Sequence, residues 1–177
     1  MNKNELRKYL IAKRETLSSQ TIKSNSQKIA SVLLSLPIIK TSQTIFVYKS
    51  FRGEVDTNEI ISTLRKMGKT LVFPYTEQDK MFAAKPLSDN KKLDEFGIEI
   101  PTDFTIETSV DVAITPLVGC DLKRNRMGFG KGFYDKFFSL HPCYKIGVCH
   151  DFQVVDSVFP QEWDVPLDCI ITENRIF

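Results

Sequence analysis

The sequence predicts an α/β protein with three layers, in which helices cover both faces of a largely parallel, mixed central sheet. Short β-rich apolar runs alternate with helical patterns along the 177 residues, as in sheets whose strands are joined by helical crossovers. One run, 110–118, is almost continuously apolar, which is typical of a strand buried on both faces. With 42% hydrophobic residues, a chain of this length can bury a substantial core, so we expect one domain over residues 1–177.

Two helices are predicted at the start of the chain. Residues 3–18 read as a polar-rich helix, and Lys3 and Arg7 emerge from the same face of it because they are four residues apart. A second helix is predicted over 20–35, ending before Pro37.

The next predicted elements are a strand, a helix and a strand. Residues 44–48 form the first β-rich run. A helix over 56–67 begins with a polar cap and an acidic first turn, and it stops at Gly68, a natural residue to follow a helix. A strand over 70–73 follows, and Pro74 is expected to close it.

The second half of the chain begins with a predicted edge strand at 81–86, where a proline is tolerated. Residues 88–108 look irregular and acidic, with turn residues inside them. After the buried strand over 110–118 come the remaining elements: a helix over 131–140 and strands over 144–149 and 167–172.

Bulk properties exclude several classes of protein. The 24 basic and 22 acidic residues give a net charge of only +2, so a broad nucleic-acid-binding surface is not expected. The four cysteines form no C-x-x-C pair and the two histidines have no zinc-like spacing. The amino terminus is charged, and the longest apolar stretch, 29–39, is interrupted and too short for a bilayer. We expect a cytoplasmic protein with no membrane partner.

The most informative segment is a basic, glycine-rich loop that runs into a helix. Gly128, Gly130 and Gly132 let backbone N–H groups approach a phosphate, and a helix amino terminus favours negative charge. Asp135 can offer oxygen ligands to a divalent cation. Four cations lie within nine residues: Lys123, Arg124, Arg126 and Lys131. The combination predicts a phosphate-binding turn for a nucleotide with a metal ion.

Spacing excludes two common nucleotide loops. A Walker A loop fails because Lys131 is followed by Gly132 and Asn125 stands where its first glycine should be. The dinucleotide fingerprint G-x-G-x-x-G also fails, because these glycines are spaced two and two. Glycine spacing alone would favour a simple packing turn, and the added Arg126, Lys131 and Asp135 reverse that preference.

The decapeptide 126–135 resembles the R-L-G-x-G-x-G-Y-Y-D signature of 5-formyltetrahydrofolate cyclo-ligases, also called methenyltetrahydrofolate synthetases. Three other segments are similar to the family in the same order: Lys3-x-x-Leu6-Arg7, Glu54-x-x-Thr57 and Trp163-Asp164-x-Pro166-Leu167-Asp168. The resemblance implies a NagB/RpiA/CoA-transferase-like fold. It also implies conversion of 5-formyltetrahydrofolate to 5,10-methenyltetrahydrofolate with ATP and Mg²⁺, by phosphorylation of the formyl oxygen and ring closure.

The resemblance also implies residue roles. Catalysis is expected of Lys131 and Arg126. The ATP-binding set is Lys3, Arg7, Arg126, Met127, Gly128, Phe129, Gly130, Lys131, Gly132, Phe133 and Tyr134. The folate-binding set is Lys49, Glu54, Phe129, Gly130, Lys131, Gly132 and Phe133. The Mg²⁺ ligands are Asp135 and Asp168. Only small-molecule partners are expected, for a monomer.

Each role has a structural alternative. Lys3 and Arg7 could simply form an exposed helix face, Glu54 a solvated loop acid, and Asp168 a capping or turn aspartate. Trp163 is interpreted mainly as structural.

The chain departs from the family pattern at three positions. Arg124 replaces a glycine, which would cost roughly 1 kcal/mol if the backbone there has a positive φ. Met127 replaces a leucine, and Phe133 replaces a tyrosine and its hydroxyl.

Two other classes of function remain as alternatives. A sugar-phosphate isomerase or acyl-CoA transferase would need an acid–base pair or an acyl-accepting glutamate near the loop, and none is evident. A nucleic-acid-binding protein could stack bases on Phe129, Phe133 and Tyr134, but the wider basic surface it needs is missing.

Overall fold

A computed structural model describes residues 1–94 and 97–177. Its helices are α1 (Lys3–Glu15), α2 (Ser19–Ser35), α3 (Pro37–Thr41), α4 (Asn58–Lys66) and α5 (Phe133–Leu140), with a 3₁₀ turn at Asp151–Gln153. Its strands are β1 (Thr44–Val47), β2 (Thr70–Glu77), β3 (Lys80–Pro86), β4 (Lys91–Leu93), β5 (Glu99–Pro101), β6 (Phe104–Glu107), β7 (Val112–Pro116), β8 (Gly119–Cys120), β9 (Arg126–Met127), β10 (Tyr144–Val148) and β11 (Cys169–Ile171).

Seven strands form the central sheet in the order β11-β10-β7-β1-β2-β3-β6. The first five run parallel to one another, whereas β3 and β6 pair antiparallel at one side. β4 pairs with β5 and β8 with β9 in two small separate hairpins. The carboxyl ends of the five parallel strands therefore meet at a single edge, where ligands gather in open α/β sheets.

The two faces of the sheet bury different sets of side chains. Because side chains alternate along a strand, Ile45 and Val47 of β1 face a core shared with α2, α3 and α4, while Phe46 faces the other side. On that other side Phe137 of α5 stacks on Phe46 with ring centroids 4.8 Å apart. The predicted three-layer α/β/α arrangement, with a largely parallel mixed sheet, is confirmed.

Helix α1 lies apart from these two layers. Its Leu6 and Leu10 are buried against Val118, Met127 and Val158, in a third apolar cluster formed largely by segments that follow β7. This packing sets α1 against the glycine-rich loop.

Near the amino terminus, the predicted end of the first helix was wrong, whereas the second helix, predicted over 20–35, is found at Ser19–Ser35. The helix expected over 3–18 ends at Glu15, because Thr16 caps it and Ser18 starts the next helix by accepting a hydrogen bond from the Thr21 N–H. The short α3, which begins with Pro37, was not predicted.

The antiparallel side of the sheet also differs from the prediction. Strand β2 continues through Pro74, which pairs with Ala83 of β3. Proline is tolerated there because the register with β1 ends at Val72, so no second neighbour needs its missing N–H. Strand β3 is not at the edge, since β6 pairs outside it. The segment 88–108 thus holds β4, β5 and β6, and its residues 95–96 lie outside those described.

Candidate active site

The glycine-rich loop follows the β8–β9 hairpin and leads directly into α5. Gly130 and Gly132 have φ of 99° and 68°, in the left-handed region that side chains rarely adopt. Gly132 is the residue immediately before α5. The sequence-predicted helix start at residue 131 is therefore two residues early, and the loop ends at a helix amino terminus as expected.

Arg126 forms the buried floor of this loop. Its Nη2 donates to Asp135 Oδ2 at 3.2 Å, and its guanidinium carbon lies 4.9 Å from the centre of the Tyr134 ring. Its Nε is buried with no hydrogen-bond partner among the described residues. A β-carbon on Gly128 would lie 2.8 Å from Arg126 Nη1. A side chain at position 128 would have to displace this guanidinium, which occupies the space.

Helix α1 brings its cationic face to the same loop. Arg7 Nε donates to the Gly128 carbonyl at 2.9 Å, and the Lys3 ammonium lies 3.0 Å from Asp164 Oδ2. The N–H of the next residue, Val165, donates to Asp135 Oδ1 at 3.2 Å. Lys3, Arg7, Arg126 and Asp135 therefore belong to one connected set of contacts.

Glu54 is buried and lies beyond the carboxyl end of β1. Its Oε2 accepts a hydrogen bond from the Phe51 N–H at 3.0 Å, and its Oε1 lies 3.7 Å from Arg14 Nη1. Burial raises the pKa of Glu54 to about 7, although Arg14 and the Phe51 N–H each act to lower it. The alternative of a solvated loop acid is wrong.

The turn that carries Glu54 is held from several sides. Arg14 Nε donates to the Arg52 carbonyl at 3.0 Å, and His150 Nε2 lies 3.0 Å from the Gly53 carbonyl. Burial lowers the pKa of His150, which keeps this imidazole neutral at physiological pH. The Tyr48 hydroxyl donates to the Val55 carbonyl at 2.8 Å. The carboxylate therefore sits on a well-supported backbone.

The remaining predicted loop residues lie in different surroundings. Phe129 is exposed at the tip of the loop, with the Arg14 guanidinium 5.5 Å from its ring centre. Lys131 is exposed, with its ammonium 5.8 Å from the Phe133 ring centre. Phe133 and Tyr134 are half-buried against the α5 side of the core, and Met127 is buried beneath α1. The side chain of Met127 is therefore enclosed in the core, and its carbonyl accepts a hydrogen bond from the Val118 N–H at 2.7 Å.

Lys49, the other predicted folate residue, follows β1 and points toward the β4–β5 hairpin. Its ammonium lies 3.9 Å from Glu99 Oε2. Burial and the nearby Lys91 lower its pKa.

The structure does not bring the two predicted metal ligands together. Asp135 bonds to Arg126 and the Val165 N–H, within the loop contacts. Asp168 Oδ2 instead accepts from the Lys145 N–H and lies 2.7 Å from the Lys145 ammonium, at the amino ends of β10 and β11. No cluster of three potential metal ligands occurs in the described part of the chain. A metal held by Asp135 would need further oxygen ligands from a bound phosphate or from water.

Sequence reasoning missed Arg14, which is almost completely buried between α1, the Glu54 turn and the loop. The available signal was spacing: Lys3, Arg7 and Arg14 recur at intervals of four and seven, on one face of a helix. It also assigned no role to Asp164, the partner of Lys3. Trp163, expected to be structural, is 72% exposed, so that expectation was wrong.

Arg124 adopts the positive φ that the glycine pattern suggested, with a value of 64°. Its carbonyl accepts a hydrogen bond from the Leu167 N–H at 3.0 Å. The turn keeps the backbone shape expected of a glycine and has an exposed arginine at that position.

Comparison with known proteins agrees with the signature at the loop. Residues 1–173 match the model of the 5-formyltetrahydrofolate cyclo-ligase family. The chain belongs to this family, and it is an enzyme. The family match favours the cyclo-ligase prediction over the isomerase, transferase and nucleic-acid-binding alternatives.

Individual relatives match along nearly their whole length. The 5-formyltetrahydrofolate cyclo-ligase of Mycoplasma pneumoniae is 31% identical, covering 98% of this chain and 100% of the relative. The Escherichia coli K12 protein of the same name is 28% identical, covering 93% and 97%. The structure of Aquifex aeolicus 5,10-methenyltetrahydrofolate synthetase superposes with a TM-score of 0.88 at 33% identity, covering 99% of this chain and 92% of that one.

The described residues include no helix that combines the length and the apolar character needed to cross a membrane.

Proposed function

We propose that this chain converts 5-formyltetrahydrofolate to 5,10-methenyltetrahydrofolate, using ATP with Mg²⁺ and releasing ADP and phosphate. The observation that carries the proposal is the position of Arg14. Its guanidinium lies 3.7 Å from Glu54 and 5.5 Å from the ring of Phe129 in the glycine-rich loop. A buried carboxylate suited to a pterin and a loop suited to phosphates are therefore separated by a single side chain.

The chemistry needs both halves of this site. The formyl oxygen on N5 is a poor leaving group, so it first receives the γ-phosphoryl group of ATP. The N10 lone pair then attacks the activated carbon, the carbon–oxygen bond breaks, phosphate leaves, and N10 loses its proton. Positioning and charge neutralisation supply most of the catalysis in phosphoryl transfer. No covalent protein nucleophile is required.

The loop and α1 take the phosphates in this proposal. Backbone N–H groups around Gly130 and at the start of α5 face the phosphate oxygens, and Lys3 and Arg7 add positive charge. Arg126 and the exposed Lys131 neutralise the transferring phosphoryl group. The unpartnered Nε of Arg126 is a buried donor that a phosphate oxygen would satisfy.

Glu54 recognises the pterin. The amino group and ring N–H of a pterin form a guanidine-like edge that a carboxylate binds through two parallel hydrogen bonds. Glu54 is linked to the loop through Arg14, and this link would bring the formyl group and the γ-phosphate to the same place. Lys49, Phe129 and Phe133 would contact other parts of the folate.

Asp135 would hold Mg²⁺ together with ATP phosphates, an arrangement that Mg²⁺ commonly uses. The ion would neutralise charge on the transferring phosphate. Asp168 pairs with Lys145 at the amino ends of β10 and β11, so it is not placed to join Asp135. Asp135→Asn should raise the Mg²⁺ concentration needed for half-maximal rate, and Asp168→Asn should not. The reverse order would assign the metal to Asp168.

The direct test is a near-ultraviolet assay for the methenyl product with ATP, Mg²⁺ and 5-formyltetrahydrofolate. The wild-type chain should form product, and Lys131→Ala should lower kcat by at least roughly 100-fold, as for other donors to developing charge. The matched control is Lys136→Ala, since that lysine pairs with Asp79 outside the loop. Absence of product from the folded wild-type chain would reject the function. Equal rates for both variants would reject the role of Lys131.

A further inference from the structure

Arg14 is the most deeply buried cation of the described residues, and it is unusually placed. Its side chain is 1% exposed. Nε donates to the Arg52 carbonyl at 3.0 Å, and Nη1 donates to the Leu117 carbonyl at 3.3 Å. Nη2 has no hydrogen-bond partner among the described residues. A buried guanidinium with an unused donor is costly unless its charge or that donor serves a neighbouring group.

The neighbouring group is the carboxylate of Glu54. Arg14 Nη1 lies 3.7 Å from Glu54 Oε1, and both side chains are almost fully buried. Helix α1 thus places one positive charge beside Oε1 of the carboxylate, and Oε2 accepts a hydrogen bond from the Phe51 N–H.

We propose that Arg14 is a positioning residue that keeps the Glu54 carboxylate ionised and fixed in orientation for the pterin. This inference rests on the proposed function, because it concerns how the folate half of that site works. Arg14 touches neither reacting atom in it, and it acts only through Glu54.

The other ionisable groups around Glu54 cannot replace this charge. Tyr48, which directly follows β1, and Tyr134 from α5 face it, and burial raises the pKa of both phenols, so they are neutral below pH 9. His150, which bonds to the Gly53 carbonyl, has a pKa lowered by burial and is neutral above pH 7. Arg52 is exposed and paired with Glu15. Arg14 is the one buried cation beside Glu54 in the described part of the chain.

The sign of the pH effect follows from these contacts. Glu54 accepts the pterin N–H groups only when ionised, so kcat/KM for the folate should fall as the pH drops through the pKa of Glu54 in the free enzyme. Burial places that pKa at about 7 even with Arg14 present. An opposite charge this close lowers a carboxyl pKa by roughly 1–3. Neutralising Arg14 should therefore move the acid limb, the part of the pH profile in which kcat/KM falls with falling pH, to higher pH.

The experiment measures folate-dependent phosphate release from pH 6 to 9 in wild-type enzyme, Arg14→Met and Arg14→Lys. Methionine keeps an unbranched side chain of similar length without charge. We expect the acid limb of Arg14→Met to lie about one pH unit higher than that of the wild type, so kcat/KM falls roughly tenfold near pH 6.5 and recovers to near wild type by pH 9. The acid limb of Arg14→Lys should stay within about half a pH unit of the wild-type limb, and its KM for the folate should be higher.

Controls separate the possible outcomes. Lys13→Gln removes the exposed cation one residue earlier and should retain the wild-type profile. Glu54→Gln should lose the acid limb, and adding Arg14→Met to it should not create a new one. A pH-independent loss in Arg14→Met would show a merely structural role, and coincident limbs would also overturn the proposal. If Arg14→Met does not fold, the test rests on Arg14→Lys. An Arg14→Lys enzyme with the same acid limb and the same KM for the folate as the wild type would then overturn the proposal. Absence of turnover in the wild type would instead reject the proposed function.

Discussion

Two glycines with almost the same backbone angle provide a test of how the Glu54 turn is built. Gly53 has a φ of +74° and Gly68 a φ of +73°. A β-carbon on Gly53 would lie 2.8 Å from the Arg14 carbonyl oxygen, whereas one on Gly68 would meet nothing within 4 Å. Alanine at the two positions therefore shares the cost of the left-handed backbone and differs in the collision.

The magnitudes can be worked out from this difference. A left-handed alanine costs roughly 1–2 kcal/mol, and the lower entropy of its unfolded chain returns about 0.4–1 kcal/mol. Gly68→Ala should then lower the free energy of unfolding by about 1 kcal/mol. Gly53→Ala must also push apart two backbones, and overpacking of this kind costs roughly 1–3 kcal/mol more. Gly53→Ala should therefore lower the free energy of unfolding by about 2–4 kcal/mol in total.

Urea unfolding measures both losses, and thermal unfolding should show a Tm lowered by about 3 °C for Gly68→Ala and on the order of 10 °C for Gly53→Ala. The collision also moves Arg14 relative to Glu54, so Gly53→Ala should lower kcat/KM for the folate while Gly68→Ala leaves it unchanged. Equal stability losses in the two variants would refute the close approach of α1 to this turn.

Three further results are expected. Arg124→Gly should leave turnover unchanged and raise the free energy of unfolding by up to about 1 kcal/mol in a urea titration, because it removes left-handed strain from an exposed residue; a loss of stability would show that the arginine side chain matters. Gly128→Ala should lower kcat at least roughly tenfold without changing Tm, because its β-carbon displaces Arg126, and unchanged kinetics would contradict this position of the guanidinium. The sole tryptophan, Trp163, is 72% exposed beside Asp164, so a non-hydrolysable ATP analogue should change its fluorescence, with Trp163→Phe as the blank; an unchanged spectrum under saturating analogue would place the nucleotide elsewhere.

The sequence predicts the parallel part of the fold well because burial on both faces leaves a clear pattern. Strands β1, β7, β10 and β11 are short, mainly apolar runs between polar turns, and most of their residues are buried. The antiparallel side carries a weaker pattern. Pro74 lies inside β2, and proline in a run normally argues against a strand. Only the register, which ends the pairing of β1 at Val72, makes Pro74 acceptable.

The candidate site divides in a similar way. The glycine-rich loop and the same-face pair Lys3 and Arg7 follow from local spacing, so the sequence predicts them. Asp168 shows the limit of such reasoning, because its position at the amino end of β11 depends on strand direction and register. Arg14 was missed for a different reason: a basic side chain on a polar helix is normally exposed, and only the packing of α1 against residues 117–127 encloses it.

Arg14 contacts both halves of the proposed site. It contacts the Glu54 turn through Arg52, the end of β7 through Leu117, and the glycine-rich loop through the ring of Phe129. A shift of the loop when phosphates bind would therefore reach the carboxylate through one rigid, planar side chain. Because phosphoryl transfer depends on placing the formyl oxygen within reach of the γ-phosphate, an enzyme of this kind gains from fixing both binding surfaces to the same helix. In this chain that helix is α1.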